Sequence, residues 1–243
     1  ALNCVSLPMS YANGETSPAE WPVLIGKDRR VRELIPDITR RETVHLTRKF
    51  MDTLARQRAD SLLGGRFELA DNAVFRNAYS IAIPDTVGMN FQMVKINDGR
   101  KYRYMRYLPK VGTSGNIAEI ELYDNKGECL TDRKIIGTYR AADKFHTMEN
   151  VFDGDVLSYA SCSPTQKELP WVGLDLGCLV ELSELCYLPR TDDNFIREGE
   201  EYELFYWDED GWTSLGRQIG SRAAQELVYD DVPANALLLL HNH

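Results

Sequence analysis

Asn150-Val151-Phe152-Asp153-Gly154-Asp155-Val156-Leu157-Ser158-Tyr159, then Trp171-Val172-Gly173-Leu174-Asp175-Leu176-Gly177, then Tyr187-Leu188-Pro189-Arg190, make up the most informative part of the chain. A tight polar turn gives way to an apolar run, and that run to an aromatic–proline ending. Outward from it, short β-rich runs alternate with the turn clusters Asn97-Asp98-Gly99, Asp124-Asn125-Lys126-Gly127 and Asp208-Glu209-Asp210-Gly211. Short strands punctuated this way are the pattern of antiparallel sandwiches. Helical periodicity is weak, and one short helix is expected within residues 47–63, where Phe50, Met51, Leu54, Leu62 and Leu63 are interrupted by Arg56, Gln57 and Arg58. The expected fold class is all-β.

Two segments resemble each other, and repeats bear on architecture before details do. Tyr107-Leu108-Pro109-Lys110 precedes Glu119-Ile120-Glu121-Leu122-Tyr123-Asp124, and Tyr187-Leu188-Pro189-Arg190 precedes Glu201-Tyr202-Glu203-Leu204-Phe205-Tyr206. The offsets are close, 12 residues from Pro109 to Glu121 and 14 from Pro189 to Glu203. Upstream, Gly65-Arg66-Phe67 with Ala70-Asp71 is echoed by Gly137-Thr138-Tyr139 with Ala142-Asp143. Two tandem β lobes are expected, over residues 51–130 and 131–243. Residues 1–50 fit neither copy, and read as the tail of a preceding β domain or as strands added to the first lobe.

The length of 243 residues exceeds the usual single domain, and 43% apolar with 10% aromatic residues supports a real core. A net charge of -9 repels phosphate backbones, so nucleic acid is not an expected partner. Lys27, Arg29, Arg30, Arg32, Arg40 and Arg41 are interrupted by Asp28, Glu33, Asp37 and Glu42, and read as a solvated face. The cysteines Cys4, Cys129, Cys162, Cys178 and Cys186 are odd in number, without CxxC or a paired histidine spacing, so isolated thiols are expected. No run approaches the roughly 18 apolar residues of a membrane helix. The expectation is that any export signal has been removed and that the natural polypeptide, whose last core strand would lie at the apolar run 236–240, continues beyond His243.

Catalytic signatures are sparse: GxSxG, HExxH and Gly-rich phosphate loops are missing from the sequence. His45, His146, His241 and His243 read as satisfied or exposed histidines. A Cys–His nucleophile using His146 is formally open, because such partners meet only in space. Glu119/Glu121 and Glu201/Glu203 have the i, i+2 spacing that could serve glycoside hydrolysis. Their alternation with Ile120, Leu122, Tyr202 and Leu204 reads better as the wet face of half-buried strands. Trp207 and Trp212 read as core or hairpin-edge residues.

In order, the Asp-Gly-Asp loop, the Trp171-to-Gly177 strand and the Tyr187-to-Arg190 strand end resemble the discoidin, or coagulation factor V/VIII C-type, family and its carbohydrate-binding relatives. The resemblance covers residues 135–243. It implies a galactose-binding-like jelly-roll sandwich whose Asp-Gly-Asp loop holds a structural Ca2+ and whose loops at one end form a shallow ligand site. Asp153, Asp155 and Ser158 suit that loop, since a hard cation takes 6–8 oxygen ligands. The alternative is an Asx-turn in which Asp153 and Asp155 bond their own backbone. Arg190, Asp192, Asp193 and Asn194 match the position of the relatives' polar sugar contacts, with Tyr159 at the aromatic position. A planar guanidinium beside carboxylates and an aromatic face suits a sugar, whereas an ion pair of Arg190 with Asp192 or Asp193 would simply fix the loop.

The first lobe lacks both the Asp-Gly-Asp loop and the Trp-to-Gly strand. Residues 103–121 resemble discoidin-like lobes found in tandem at the C-termini of exported gut Bacteroidetes proteins. There, a stretch such as residues 6–14 ends a preceding β domain, behind a transglutaminase-like or glycan-processing catalytic domain. The chain is therefore expected to be a non-catalytic carbohydrate- or glycoprotein-binding module of a larger secreted, periplasmic or cell-surface bacterial protein, with catalysis upstream. A structural spacer or protein-docking module, and a glycan-processing hydrolase, are the other readings.

Overall fold

A computed structural model describes residues 4–7, 14, 20–50, 52, 54–163, 166 and 168–243. Met51 and most of residues 6–14, the expected end of a preceding domain, lie outside the described residues. Among the described residues, strands account for 46% and helix for 4%, which makes the protein an all-β sandwich with about twice the usual strand share.

In chain order the strands are β1 (Cys4–Ser6), β2 (Val23–Ile25), β3 (Val31–Glu33), β4 (Asp37–Leu46), β5 (Arg66–Ala70), β6 (Tyr79–Ala82), β7 (Gln92–Lys95), β8 (Lys101–Leu108), β9 (Ile117–Asp124), β10 (Lys134–Gly137), β11 (Val172–Pro189), β12 (Glu201–Asp208), β13 (Gly211–Ile219), β14 (Leu227–Ala234) and β15 (Leu238–Asn242). The helix α1 spans only Ala55–Asp60. Its buried positions, Ala55 and Ala59, are one turn apart and Leu62 is buried just beyond the helix, while Phe50 and Leu54 are exposed.

The chain divides into two compact units, one of residues 1–53 with 195–243, the other of residues 54–194. This differs from the expected lobes: position 130 falls inside the second unit, and the N-terminal strands join the C-terminal ones. β4 pairs antiparallel with β14, Tyr229 opposite Val44 and Leu227 opposite Leu46. The reason is visible in β11. Its first half lies between β10 and β8 (Leu174 opposite Ile135 and Met105), and its second half lies between β7 and β9 (Leu185 opposite Val94 and Leu122). A register shift between Asp175 and Val180 turns the strand from one sheet into the other, and Gly177 at φ 79° supplies a backbone conformation that side chains disfavour. One strand thus joins the first copy to the Tyr187-Leu188-Pro189 of the second within one unit, while residues 201–206 of the second copy lie in β12 of the other unit.

Both sheets of the second unit bury one core. Phe67 of β5 packs on Tyr107 of β8 and Tyr187 of β11, with ring centroids 5.3 and 5.0 Å apart. Met105, Leu174, Ile120, Leu122 and Leu185 fill the space around them. In the first unit a smaller core forms from Ile196, Tyr202, Leu204, Leu227, Tyr229 and Val232. Trp207 and Trp212 face each other across the β12–β13 hairpin as an edge-to-face pair, 5.3 Å between centroids.

The carboxylates read as a wet strand face are not uniformly wet. Glu119 is 2% and Glu203 9% exposed, because β9 is covered on both faces and Glu203 receives Ser214 and His243. Cys129, Cys162, Cys178 and Cys186 form no disulfide, Cys162 and Cys186 being buried, Cys129 and Cys178 exposed.

Candidate ligand-binding site

The end of β11 delivers Arg190 to the surface of the second unit. Its backbone N–H donates to the Asn116 carbonyl at 3.2 Å. Asp192 and Asp193 then take consecutive left-handed conformations, φ 50° and 63°, which aspartate tolerates better than most residues. The resulting hook turns Asp192 back onto Arg190, whose Nε donates to Asp192 Oδ1 at 2.8 Å. Arg58 of α1 reaches the other oxygen of the same carboxylate at 2.8 Å. Asp192 therefore bridges two guanidiniums.

The Arg190 guanidinium lies over the Tyr159 ring, 4.0 Å from its centroid, a cation–π contact. The His146 imidazole lies 4.2 Å from the same ring centroid, tilted by 32°. Asp143 fixes that imidazole, both carboxylate oxygens standing 2.8 Å from Nδ1. The Phe145 N–H and the His146 side chain hold the Asp143 carboxyl below the usual carboxylate range. The outcome is a shelf of His146, Tyr159 and Arg190, with a carboxylate anchoring each end.

Of the residues expected to contact ligand, the structure brings Arg190, Asp192 and Tyr159 together. Asp193 stands in the same hook, partly exposed. Asn194 and Thr191 are fully buried at 0% exposure, so Asn194 shapes the hook, its N–H donating to Thr191 O at 3.1 Å. Beneath Arg190, the buried Thr191 Oγ1 and Asn116 Oδ1 lack a hydrogen-bond partner among the described residues. Ordered water normally satisfies such groups.

The Asp-Gly-Asp loop is tied to the shelf through Asn150, whose Nδ2 donates to the carbonyls of Phe145 and Tyr159 at 2.8 and 3.2 Å. Gly154 turns the chain at φ 76°. Asp153 Oδ1 accepts from the Asp155 N–H at 2.9 Å and Asp155 Oδ1 from the Leu157 N–H at 3.0 Å. Ser158 Oγ donates to Asp153 Oδ2 at 2.9 Å. These are the Asx-turn contacts of the alternative sequence reading: the three expected Ca2+ ligands are neighbours, with one oxygen of each aspartate turned onto its own loop. Among the described residues, no three His, Cys, Asp or Glu side chains converge as a metal site.

Below the loop lies a group that sequence alone did not single out as buried. Glu119 Oε1 accepts the Gly154 N–H at 2.7 Å. Burial pushes the Glu119 carboxyl up to about 9, and its hydrogen bond with Asp153 and the nearby charges of Asp153 and Glu121 add to the rise, against the Gly154 N–H. Glu119 thus holds a proton at neutral pH, in hydrogen-bond contact with Asp153. Arg58 and His146 were missed for a simpler reason, since each meets the shelf only in space; the Asp143-to-His146 spacing of three was the one local hint.

Compared with protein-family models, curated proteins and solved structures, the chain matches none. Its own residues carry the functional reading. No helix among the described residues is long and apolar enough to cross a membrane.

Proposed function

We propose that this chain is a non-catalytic accessory module that binds carbohydrate or glycoprotein, as part of a larger exported bacterial protein of discoidin-like, galactose-binding-like type. The observation carrying the reading is the Arg190 guanidinium held 4.0 Å over the Tyr159 ring. A planar array of donors beside the Asp192 carboxylate offers paired hydrogen bonds to vicinal sugar hydroxyls, and the aromatic edge packs on the apolar face of the ring. The double anchoring by Asp143 and Asp192 lowers the entropic cost of ordering these side chains on binding. Glu119 and Asp153, in hydrogen-bond contact, stand closer than the roughly 5 Å or more between the carboxyls of a glycosidase pair. A structural Ca2+ at Asp153, Asp155 and Ser158 belongs to the same proposal, and requires the two aspartates to turn outward from their Asx-turns. The catalytic domain would then lie upstream on the same polypeptide.

The test is a glycan array with the purified chain, run with and without Ca2+, followed by titration of any neutral glycan that binds. Arg190→Ala and Tyr159→Ala should each weaken that binding about tenfold or more, the loss of a charge-assisted hydrogen bond or of the aromatic edge that packs on the sugar and carries Arg190. No binding at millimolar sugar in either condition would sink the reading and favour a spacer or docking role.

A further inference from the structure

A second polar site lies at the other end of β8. Lys101 opens that strand, and Leu108 closes it near the loop leading to Asn116 and Arg190, so roughly 23 Å of strand separates the two regions. Between the β5–β6 loop and the start of β8 is a cleft of about 560 Å3, lined among others by Asp71, Asn72, Arg76, Arg100, Lys101 and Tyr102. That size is within the roughly 300–1,000 Å3 of small-ligand pockets.

The cleft is built rather than incidental. Phe75 and Asn77 are held at φ 53° and 55°, strained for side-chain-bearing residues and most of all for a phenylalanine. Phe75 is 7% exposed, its ring clamped by the Arg106 guanidinium at 4.0 Å and packed edge-on against Trp171 at 5.8 Å. Asn72 staples the same loop: its Oδ1 accepts the Arg76 N–H at 3.0 Å and its Nδ2 donates to the Arg76 carbonyl at 3.0 Å. The clamp and staple leave the Arg76 side chain at the cleft wall. Arg100, also on the lining, has its Cζ 5.5 and 5.3 Å from the ring centroids of Tyr79 and Tyr102, and Asp98 neutralises it through a 2.8 Å ion pair.

Arg100 is thus a paired rather than a free charge. Arg76 and Lys101 differ: both line the cleft, and among the described residues neither forms an ion pair. Asp71 is the carboxylate on the lining, and one of its oxygens already accepts from Asn72 Nδ2 at 2.7 Å. Two unpaired cations facing one cleft, in a chain of net charge -9, form a local site for an anion.

We propose that this cleft binds a carboxylated sugar unit, a uronic acid residue of an acidic glycan, with Arg76 and Lys101 on the carboxylate and the exposed Arg100 guanidinium against the ring. The sugar class rests on the glycan-binding reading above; the anion preference rests on the cleft alone. The test is titration of the purified chain with a glucuronic acid-containing tetrasaccharide and with its carboxyl-reduced, neutral counterpart. The acid form should bind and the reduced form should bind at least about tenfold more weakly, with affinity falling as salt rises. Arg76→Ala and Lys101→Ala should each weaken the acid form about tenfold, in the wild-type and in the Arg190→Ala background alike. Equal binding of the two sugars, absence of acid binding at millimolar concentration, or full binding by the Arg76→Ala/Lys101→Ala double variant would overturn the proposal. Loss of neutral-glycan binding in Arg190→Ala is read separately, so each site can fail without the other.

Discussion

The two units solve the same problem of burying an antiparallel sheet by different means. In residues 54–194 the strands follow one another closely in sequence, and β11 laces two sheets over a continuous core centred on Phe67, Tyr107 and Tyr187. In the other unit the core is small, and one wall of it comes from the far end of the chain. Arg41 Nη1 reaches the Asp231 carbonyl across 190 residues of sequence at 3.0 Å, and Thr43 Oγ1 reaches Asp230 Oδ1 across 187 at 2.7 Å. β4 itself is mostly exposed, so it contributes backbone pairing and a few side chains, Val44 and Leu46, more than bulk. A core of that size depends on its cover strand, whereas the larger one has redundancy.

The severest way to break this comparison is to remove the cover. Deletion of residues 1–46 uncovers Leu227, Tyr229 and Val232, buried at 1, 3 and 0% exposure. Each such side chain returned to water costs about 1.5–3 kcal/mol, comparable in sum to the whole stability of a small domain. Amides of β12 to β15 should lose their protection from hydrogen exchange, while those of β5, β8 and β11 keep theirs. Retained protection in β12 and β14 would mean the smaller core stands without β4.

A smaller effect distinguishes the units by pH. Glu119 has its carboxyl raised to about 9 in the folded state by burial. Between the ordinary carboxylate range and pH 9, the unfolded chain releases this proton and the folded chain keeps it, so the second unit loses stability as pH rises through that window. The sign is opposite to that of Glu68 in the same unit. There burial pushes the carboxyl up, but the guanidiniums of Arg66 and Arg106 override it and hold it low, so its contribution is lost as pH falls. Glu119→Gln isolates the first effect. Between pH 5 and pH 8, the wild-type chain should lose on the order of 3 kcal/mol more than the variant in urea unfolding followed by Trp171 fluorescence. Parallel pH curves would show that Glu119 is ionised in the fold.

The sequence carried the fold class in its turns. Gly127 and Gly211, which close two of the quoted turn clusters, both have positive φ, 82° and 127°, a conformation that glycine adopts without steric cost. It did not carry the partition into units, because that depends on β4 finding β14 and on β11 serving two sheets, neither of which leaves a local periodicity. The repeat of Tyr-Leu-Pro followed by alternating glutamates is real in sequence, but β9 of the first copy pairs with β11, the strand that ends in the second copy's Tyr187-Leu188-Pro189. At the shelf, Arg190, Tyr159 and Asp192 could be named because a strand end and a loop keep them in recognisable order. Arg58 and His146 come from elements with no such order, and alternation misplaced Glu119 because a strand covered on both faces still alternates.

The smallest effect concerns the Asp-Gly-Asp loop, where the two readings of one sequence motif differ in sign. Ser158 Oγ donates to Asp153 Oδ2 at 2.9 Å and stands 3.2 Å from the Asn150 carbonyl. As a turn-fixing hydroxyl it contributes about 1 kcal/mol, so Ser158→Ala should lower the unfolding free energy of the second unit by that amount, the same with Ca2+ as with chelator. As a cation ligand it would act differently: Ca2+ would stabilise the wild-type chain in proportion to the logarithm of its concentration, and Ser158→Ala would weaken that dependence. Thermal unfolding of both chains across a Ca2+ series therefore decides between a loop closed on its own backbone and one closed on a metal. The same series bears on the shelf, since Asn150 carries any change in this loop to the Tyr159 carbonyl.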